Sequence, residues 1–412
     1  MAQDHLQHSS KIQTSTIVQW LAYFILFGIS FIVLPTKNAN LLFGRLQQLI
    51  ICSIFLLLFV YWLDTYKLKI SSFDLNINLF FGFVWVVSIF SHAQWATWTY
   101  DWICVMIMLL SANLFWKKDP AHSFYILSCV GSFITYLNAI LVFLFPNGLY
   151  ADEQGRLLYL FGNYNAIGSI SLLSILFQSI YTTYTGKGNF NLILLIVVSL
   201  TVCAFLGSMT STVGLTVLLL YTLFRKKITH LYWFIVPFLV IYIIFMISVV
   251  VIGNSIDEFS LASNFITNVL GKSTTFTYRT SVWLEYLQHI KQSPWIGNGA
   301  QALEISLRLN GHSSIVKGAH NLWLAITFSG GLIGLCIFLN ALRKSMLSAK
   351  QCPNATTRYA VVVTCILLLT SLFEQYSWTV IFGILITTYY TQWFSKRDLV
   401  DTTHVISADV NI

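Results

Sequence analysis

The residues of this chain best suited to chemistry gather in a polar segment of roughly 65 residues, Asn254 to Gly318, set between two apolar stretches. It holds Arg279, Trp283, Glu285, Pro294, Gly297, Gly299 and His312, and it runs into His320-Asn321 at the lip of the next apolar stretch. A connection of that length without a domain of its own is uncommon and usually functional. The layout suits an enzyme working at a membrane surface, where the bilayer holds the substrate and the loop brings the reactive groups.

Within the segment, Val282, Trp283, Tyr286, Leu287 and Ile290 recur at helical spacing, which predicts an amphipathic helix near Ser281–Ile290. Pro294 ends it, and Gly297-Asn298-Gly299 reads as a turn. This helix could lie across the membrane surface or form one arm of a substrate clamp. A second polar stretch carries Arg156 and then Gly162-Asn163-Tyr164-Asn165, where Asn163 and Asn165 stand at the start of an apolar helix and could cap it. Taken alone, Arg156 reads as a solvated arginine beside that cap, and His320 as a hydrogen-bonded residue at a helix start. Asp101 and Glu374 fall near the ends of apolar stretches, and carboxylates in such places are functional suspects.

Several chemistries are excluded. No Walker-type Gly-x-x-x-x-Gly-Lys-Ser/Thr phosphate loop occurs, which argues against an ATPase. No Asp-x-Asp occurs, and the adjacent acids Asp152-Glu153 and Asp257-Glu258 read as solvated turns. The seven cysteines lie mostly in apolar runs without Cys-x-x-Cys spacing, so neither a disulfide framework nor a zinc site is indicated.

The elements that must position these residues are membrane spans. The chain is 57% hydrophobic and 9% charged, against about 25% charged in a soluble domain, so it could not cover a water-facing surface. About twelve apolar segments suffice to cross a bilayer. They lie near 16–35, 46–63, 75–92, 97–116, 122–145, 164–183, 190–207, 209–224, 229–253, 319–342, 358–375 and 378–395, with the weakest divisions at Gly207-Ser208 and around Ser377. With the N-terminus inside, 15 of the 23 Lys and Arg fall in inner connections and 8 outside, five of those eight in the one long loop, where the positive-inside rule is weak. The net charge of +8 is therefore largely topological, and nucleic acid is not needed to explain it. The fold expected is all-α and polytopic: a bundle of about nine spans over 1–253, an extracytoplasmic loop with short helices over 254–318, about three spans over 319–396, and a cytoplasmic tail over 397–412.

Ala319-His320-Asn321-Leu322-Trp323-Leu324 followed by Gly331 and Gly334 resembles the His-Asn-x-x-Leu...Gly-x-x-Gly signature of the O-antigen ligase and O-antigen/capsule polymerase superfamily. Arg279...Trp283 followed by Ser293-Pro294-Trp295-Ile296-Gly297-Asn298-Gly299 is similar to its Arg-x-x-x-Trp...Pro-x-x-Gly-x-Gly stretch, and Gly162-Asn163-Tyr164-Asn165 is a third match. One departure stands out: where relatives often carry Ser-Arg, this chain has Ser208-Met209-Thr210-Ser211. The resemblance implies a membrane glycosyltransferase of the bacterial inner membrane, with its active site on the outer face and a donor glycan on a polyprenyl pyrophosphate. It implies Arg156 and Arg279 on the pyrophosphate, His320 on the acceptor or phosphate, Glu374 orienting it, and support from Asn163, Asn165, Trp283, Gly297, Gly299 and Asn321. No metal and no cofactor is expected. The expected partners are the lipid-linked oligosaccharide, a glycan acceptor, the bilayer, and a flippase and chain-length regulator of the same pathway. Polymerase and ligase share this signature; polymerase is favoured because the N-terminal half carries no feature of a ligase acceptor. A flippase would need charges deep in several spans and internal repeats, and neither is seen.

Overall fold

The computed structural model describes residues 17–25, 37–66, 70–151, 157–225, 227, 240, 279–301, 303–309 and 312–394. After a helical stretch over 17–24 come α1 (Lys37–Tyr66), α2 (Ser72–Phe90), α3 (Trp95–Ser111, continued by a π-helical turn to Trp116) and α4 (Pro120–Leu144). A short strand pair, β1 (Tyr150–Ala151) and β2 (Leu157–Leu158), precedes α5 (Tyr164–Thr185), α6 (Asn189–Phe205) and α7 (Met209–Phe224). The polar segment contributes α8 (Arg279–Gln292) and the antiparallel pair β3 (Glu304–Leu309) and β4 (His312–Lys317). The chain closes with α9 (Leu322–Gln351), α10 (Ala355–Thr370) and α11 (Trp378–Tyr390).

Six of the described helices are long and apolar enough to cross a membrane: α1 from Gly44, α2, α3 with its π turn, α4, α5 and α9. α6, α7 and α10 are apolar but shorter. This supports a multi-pass membrane protein with six such helices described, short of the roughly twelve expected; the expected span at 229–253, save residue 240, and most of that at 16–35 lie outside the described residues. Both weak divisions are helix boundaries. Gly207 takes φ 71° between α6 and α7, and Ser377 caps α11 by accepting from Val380 N.

The core is built where spans meet. α5 packs on α4, α6 and α10, and α9 packs on α2 and α11. Gly131 of α4 lets Ser174 of α5 approach so closely that a Cβ there would sit 3.1 Å from its Oγ, the use small residues have between apolar helices. At the end of the bundle away from His320, Asp74 closes a capping box with Ser71 and accepts from Tyr390 Oη (3.0 Å) and Asn113 Nδ2 (3.1 Å). Asn113 in turn accepts from Lys117 Nζ at 2.6 Å. That network ties α2, α3 and α11 together. Lys344 donates to Ser72 O (2.6 Å), and Arg225 to Asn189 Oδ1 (2.8 Å), at the same end.

The polar segment differs from its expected form. Beside the expected helix it holds a hairpin, whose register pairs Leu309 with His312. The alternation Ile305-Ser306-Leu307-Arg308-Leu309 and the intervening Asn310-Gly311 are the sequence signals for that structure.

Candidate active site

His320 stands at the junction between the polar segment and α9, and it is held in an uncommon backbone conformation. Its φ is 47°, in the left-handed region that few residues with a Cβ occupy, histidine more readily than most; His92 (φ 53°) is the other non-glycine example among the described residues. The contacts that hold it lie on both sides. Before it, the Ala319 N–H donates to Gln375 Oε1 (3.3 Å), and the Ala319 carbonyl accepts from Trp283 Nε1 (2.9 Å). After it, Asn321 caps α9 by accepting from Trp323 N (2.9 Å) and Leu324 N (3.1 Å), while its own Nδ2 donates to Leu372 O (3.1 Å). Leu322 N donates to Ser371 O at 2.9 Å. Asn321 is thus a cap for its own helix and a strap to the turn after α10.

That strap brings Glu374 to His320. The Glu374 carboxylate is 5% exposed, and its Oε2 lies 3.5 Å from His320 Nδ1; the imidazole is 30% exposed. Asn165 Nδ2 donates to the same oxygen at 3.0 Å, and Asn165 Oδ1 accepts from Ser208 Oγ at 3.4 Å. Asn163 caps α5 by accepting from Ala166 N (3.1 Å), which sets Asn165 in the first turn facing Glu374. Four residues from α5, the α6–α7 break, the α10–α11 turn and the start of α9 therefore meet. Sequence reasoning named His320, Glu374 and Asn165. It missed Ser208 as a site residue, marking that position only as a weak division between spans and for the arginine absent beside it.

Trp283 docks α8 onto this junction. Val282, Trp283 and Tyr286 are buried against Ala319, Leu324, Ala325 and Phe328. The apolar face of α8 is thus covered by α9, not laid on lipid as a surface helix would be. Arg279 opens α8, one turn before Trp283. Arg156, and Arg279 beyond its backbone, lie outside the described residues.

Gly297 and Gly299 hold the next part of the segment inside a break in α9. Gly331, at φ 60° and ψ −162°, interrupts the helix nine residues after Leu322, about 14 Å along its axis. The break frees the carbonyls of Phe328 and Ser329 and the N–H groups of Leu332 and Ile333, which an unbroken helix would pair with one another. The 294–299 turn supplies partners for all four. Asn298 N donates to Phe328 O (2.7 Å) and Gly299 N to Ser329 O (3.0 Å), while Leu332 N donates to Pro294 O (2.8 Å) and Ile333 N to Trp295 O (3.1 Å). Backbone so placed in an apolar bundle must find such partners. No side chain fits at the crossing: a Cβ on Gly297 would lie 2.5 Å from Gly331 N, and one on Gly331 would overlap the Trp295 carbonyl. Of the three glycines in this stretch that could allow close helix packing, Gly330 does so, since a Cβ there would lie 3.2 Å from Val84 Cγ2 of α2; Gly331 instead admits a turn, and a Cβ on Gly334 would find nothing nearer than 3.9 Å.

Residues 194–339 match the family model described as O-antigen ligase. The match runs from α6 into α9 and takes in Trp283, the 294–299 turn, His320-Asn321 and Gly331, so it bears out the superfamily resemblance where two of the three motifs lie; Arg156 and Gly162-Asn163-Tyr164-Asn165 fall outside it. Asn165 and Glu374 stand outside it. No curated protein matches the chain.

Proposed function

We propose, taking the O-antigen ligase match as premise, that this chain is a membrane glycosyltransferase that joins polyprenyl-pyrophosphate-linked oligosaccharide repeat units into a surface polysaccharide. The observation that carries the reading is His320: a histidine held in a left-handed conformation, with a buried carboxylate 3.5 Å from Nδ1. Such local strain is typical of functional sites. In this reading Glu374 holds a protonated Nδ1 and leaves Nε2 as the basic nitrogen. Nε2 takes the proton from the acceptor hydroxyl as that oxygen bonds to the anomeric carbon. The bond from the anomeric carbon to the pyrophosphate oxygen breaks, and its electron pair leaves with the pyrophosphate. Arg156 and Arg279 bind that leaving group, because the guanidinium fork pairs with phosphate oxygens and offsets the growing charge. Fixed arginine cations take the place of a divalent ion, so no metal is required.

The proposed setting is the bacterial inner membrane, with about twelve spans, cytoplasmic termini and the His320 end facing out. Lys117, Lys187, Arg225, Lys344 and Arg358 sit at the opposite end, in keeping with the positive-inside rule. A flippase and a chain-length regulator are the expected companions. The family description favours a second reading, transfer of the completed glycan to a lipid, protein or wall acceptor. The match gives a flippase reading no support.

The test uses the purified full-length chain in lipid, lipid-linked repeat units and EDTA. Extension into a ladder supports polymerase; a single transfer, seen only when a lipid A–core acceptor is added, supports ligase. His320→Ala is expected to give no product while remaining folded in the membrane. Full elongation by His320→Ala, elongation stopped by EDTA, or lipid movement without joining would each overturn the mechanism.

A further inference from the structure

Beside the His320 junction lies a cavity of about 120 Å³ that the mechanism above does not use. Asp101 and Gln94 line it from α3 and the turn before it, Gln301 from the chain just past the 294–299 turn, and Gln375 from the residue next to Glu374. Trp98 and Trp378, both buried, meet edge to face at 5.1 Å and form its apolar floor. The Asp101 carboxylate has no hydrogen-bond or ion-pair partner among the described residues. A carboxylate set into an apolar helix bundle without a partner is costly, and such groups mark binding or transport sites.

We propose that this cavity is a saccharide subsite, holding the acceptor sugar ring with Asp101 accepting hydrogen bonds from its hydroxyls. The inference rests on the transferase reading and specifies where its acceptor binds. A neutral polyol brings the O–H donors that a lone carboxylate lacks, and it can both donate to and accept from the Gln94, Gln301 and Gln375 amides. The apolar floor suits the C–H face of a pyranose. An anion is disfavoured here, because none of the lining residues is basic, so the donor pyrophosphate belongs elsewhere. At ~10–15 Å³ per water the cavity has room for about ten waters, which suits one ring and not an oligosaccharide. Its position suits the acceptor too. Gln375 lines the cavity while its Oε1 accepts from Ala319 N, directly before His320.

The experiment measures binding of the organism's own repeat-unit oligosaccharide, released from its lipid, to the full-length protein by saturation-transfer NMR and titration calorimetry. Wild type is expected to bind saturably, and Asp101→Asn at least about tenfold more weakly, as expected for loss of a charged acceptor. Gln94→Ala provides a second variant that spares the backbone, since it is the Gln94 N–H, not the side chain, that holds Ala300 O at 3.1 Å; it too should weaken binding. No saturable binding by wild type, or wild-type affinity in both variants, would overturn the subsite. Joining of lipid-linked units is read separately on the same preparations. Asp101-dependent sugar binding in a wild-type protein that joins nothing would sink the transferase reading and leave the subsite standing.

Discussion

Gly331→Ala should dislocate the polar segment from α9 without unfolding the bundle. The new methyl would overlap the Trp295 carbonyl and lie 2.6 Å from Ile296 N, closer than the 3.0 Å that real Cβ atoms respect. The two chains must part, and four backbone hydrogen bonds of 2.7 to 3.1 Å cross that contact. At about 0.5–1.5 kcal/mol net for each, their loss costs about 2–6 kcal/mol. A Cβ in Gly331's backbone conformation adds about 1–3 kcal/mol. α9 can recover part of this by closing its own helical bonds across the break, so the damage falls on the 294–299 turn, which cannot. Gly334→Ala is the control: its Cβ would meet nothing nearer than 3.9 Å, and alanine favours helix over glycine by about 1 kcal/mol. Hydrogen exchange read by mass spectrometry on purified protein is the assay. Gly331→Ala should speed exchange across 294–301 and abolish glycan joining, while Gly334→Ala leaves both as in wild type. Wild-type exchange in Gly331→Ala, or equal damage from both variants, would refute the interlock.

Three further outcomes are expected. Glu374→Gln keeps an oxygen for the Asn165 amide but removes the charge beside His320, and the joining rate should fall about 10²-fold or more with the protein still folded; a near-wild-type rate would remove Glu374 from the mechanism. Arg279→Lys keeps the charge and loses the fork, so it should damage turnover far more than a change such as Arg358→Lys at the opposite end, as steady-state kinetics on the two variants would show. Trp283→Phe keeps a ring in the α8–α9 contact but leaves the Ala319 carbonyl without its 2.9 Å donor. Stability should fall by only about 1–3 kcal/mol, while kcat falls through the altered setting of His320; thermal melts and turnover on one preparation separate the two effects.

Periodicity made most of the helices legible, the motif order pointed to His320 and Asn165, and the placing of a carboxylate near the end of an apolar stretch pointed to Glu374. Two kinds of information were not legible. One was contact between distant segments, since nothing in Ser208 or Leu372 announces that each meets a residue more than forty positions away. The other was the difference between glycines. Gly331 and Gly334 look alike as a small-residue pattern, yet one breaks the helix and the other sits in an unbroken turn, because the partner of Gly331 is a backbone segment and not a helix face. The hairpin was readable from strand alternation and Asn310-Gly311, but the apolar helices around it drew attention to helical spacing alone.

The break in α9 explains how a polar segment between two apolar stretches can help position His320. α8 fastens to the start of α9 through Trp283, and the 294–299 turn fastens about 14 Å further along the same helix through four backbone bonds. Two attachments on one rigid element fix the segment's direction as well as its position; one alone would leave it free to swing. The Ala300 N–H then reaches Ser88 Oγ at 2.7 Å, and the Ala300 carbonyl accepts from Gln94 N at 3.1 Å, so the same chain is pinned to the α2–α3 turn as well. Residues 294–300 are therefore braced between α9 and the α2–α3 turn, and Ala300 lines the Asp101 cavity. On the proposed function, a base at His320 and an acceptor subsite at Asp101 held by one braced strip would keep their spacing while a lipid-borne donor moved in from the bilayer, which is the condition a transfer between two large glycans sets.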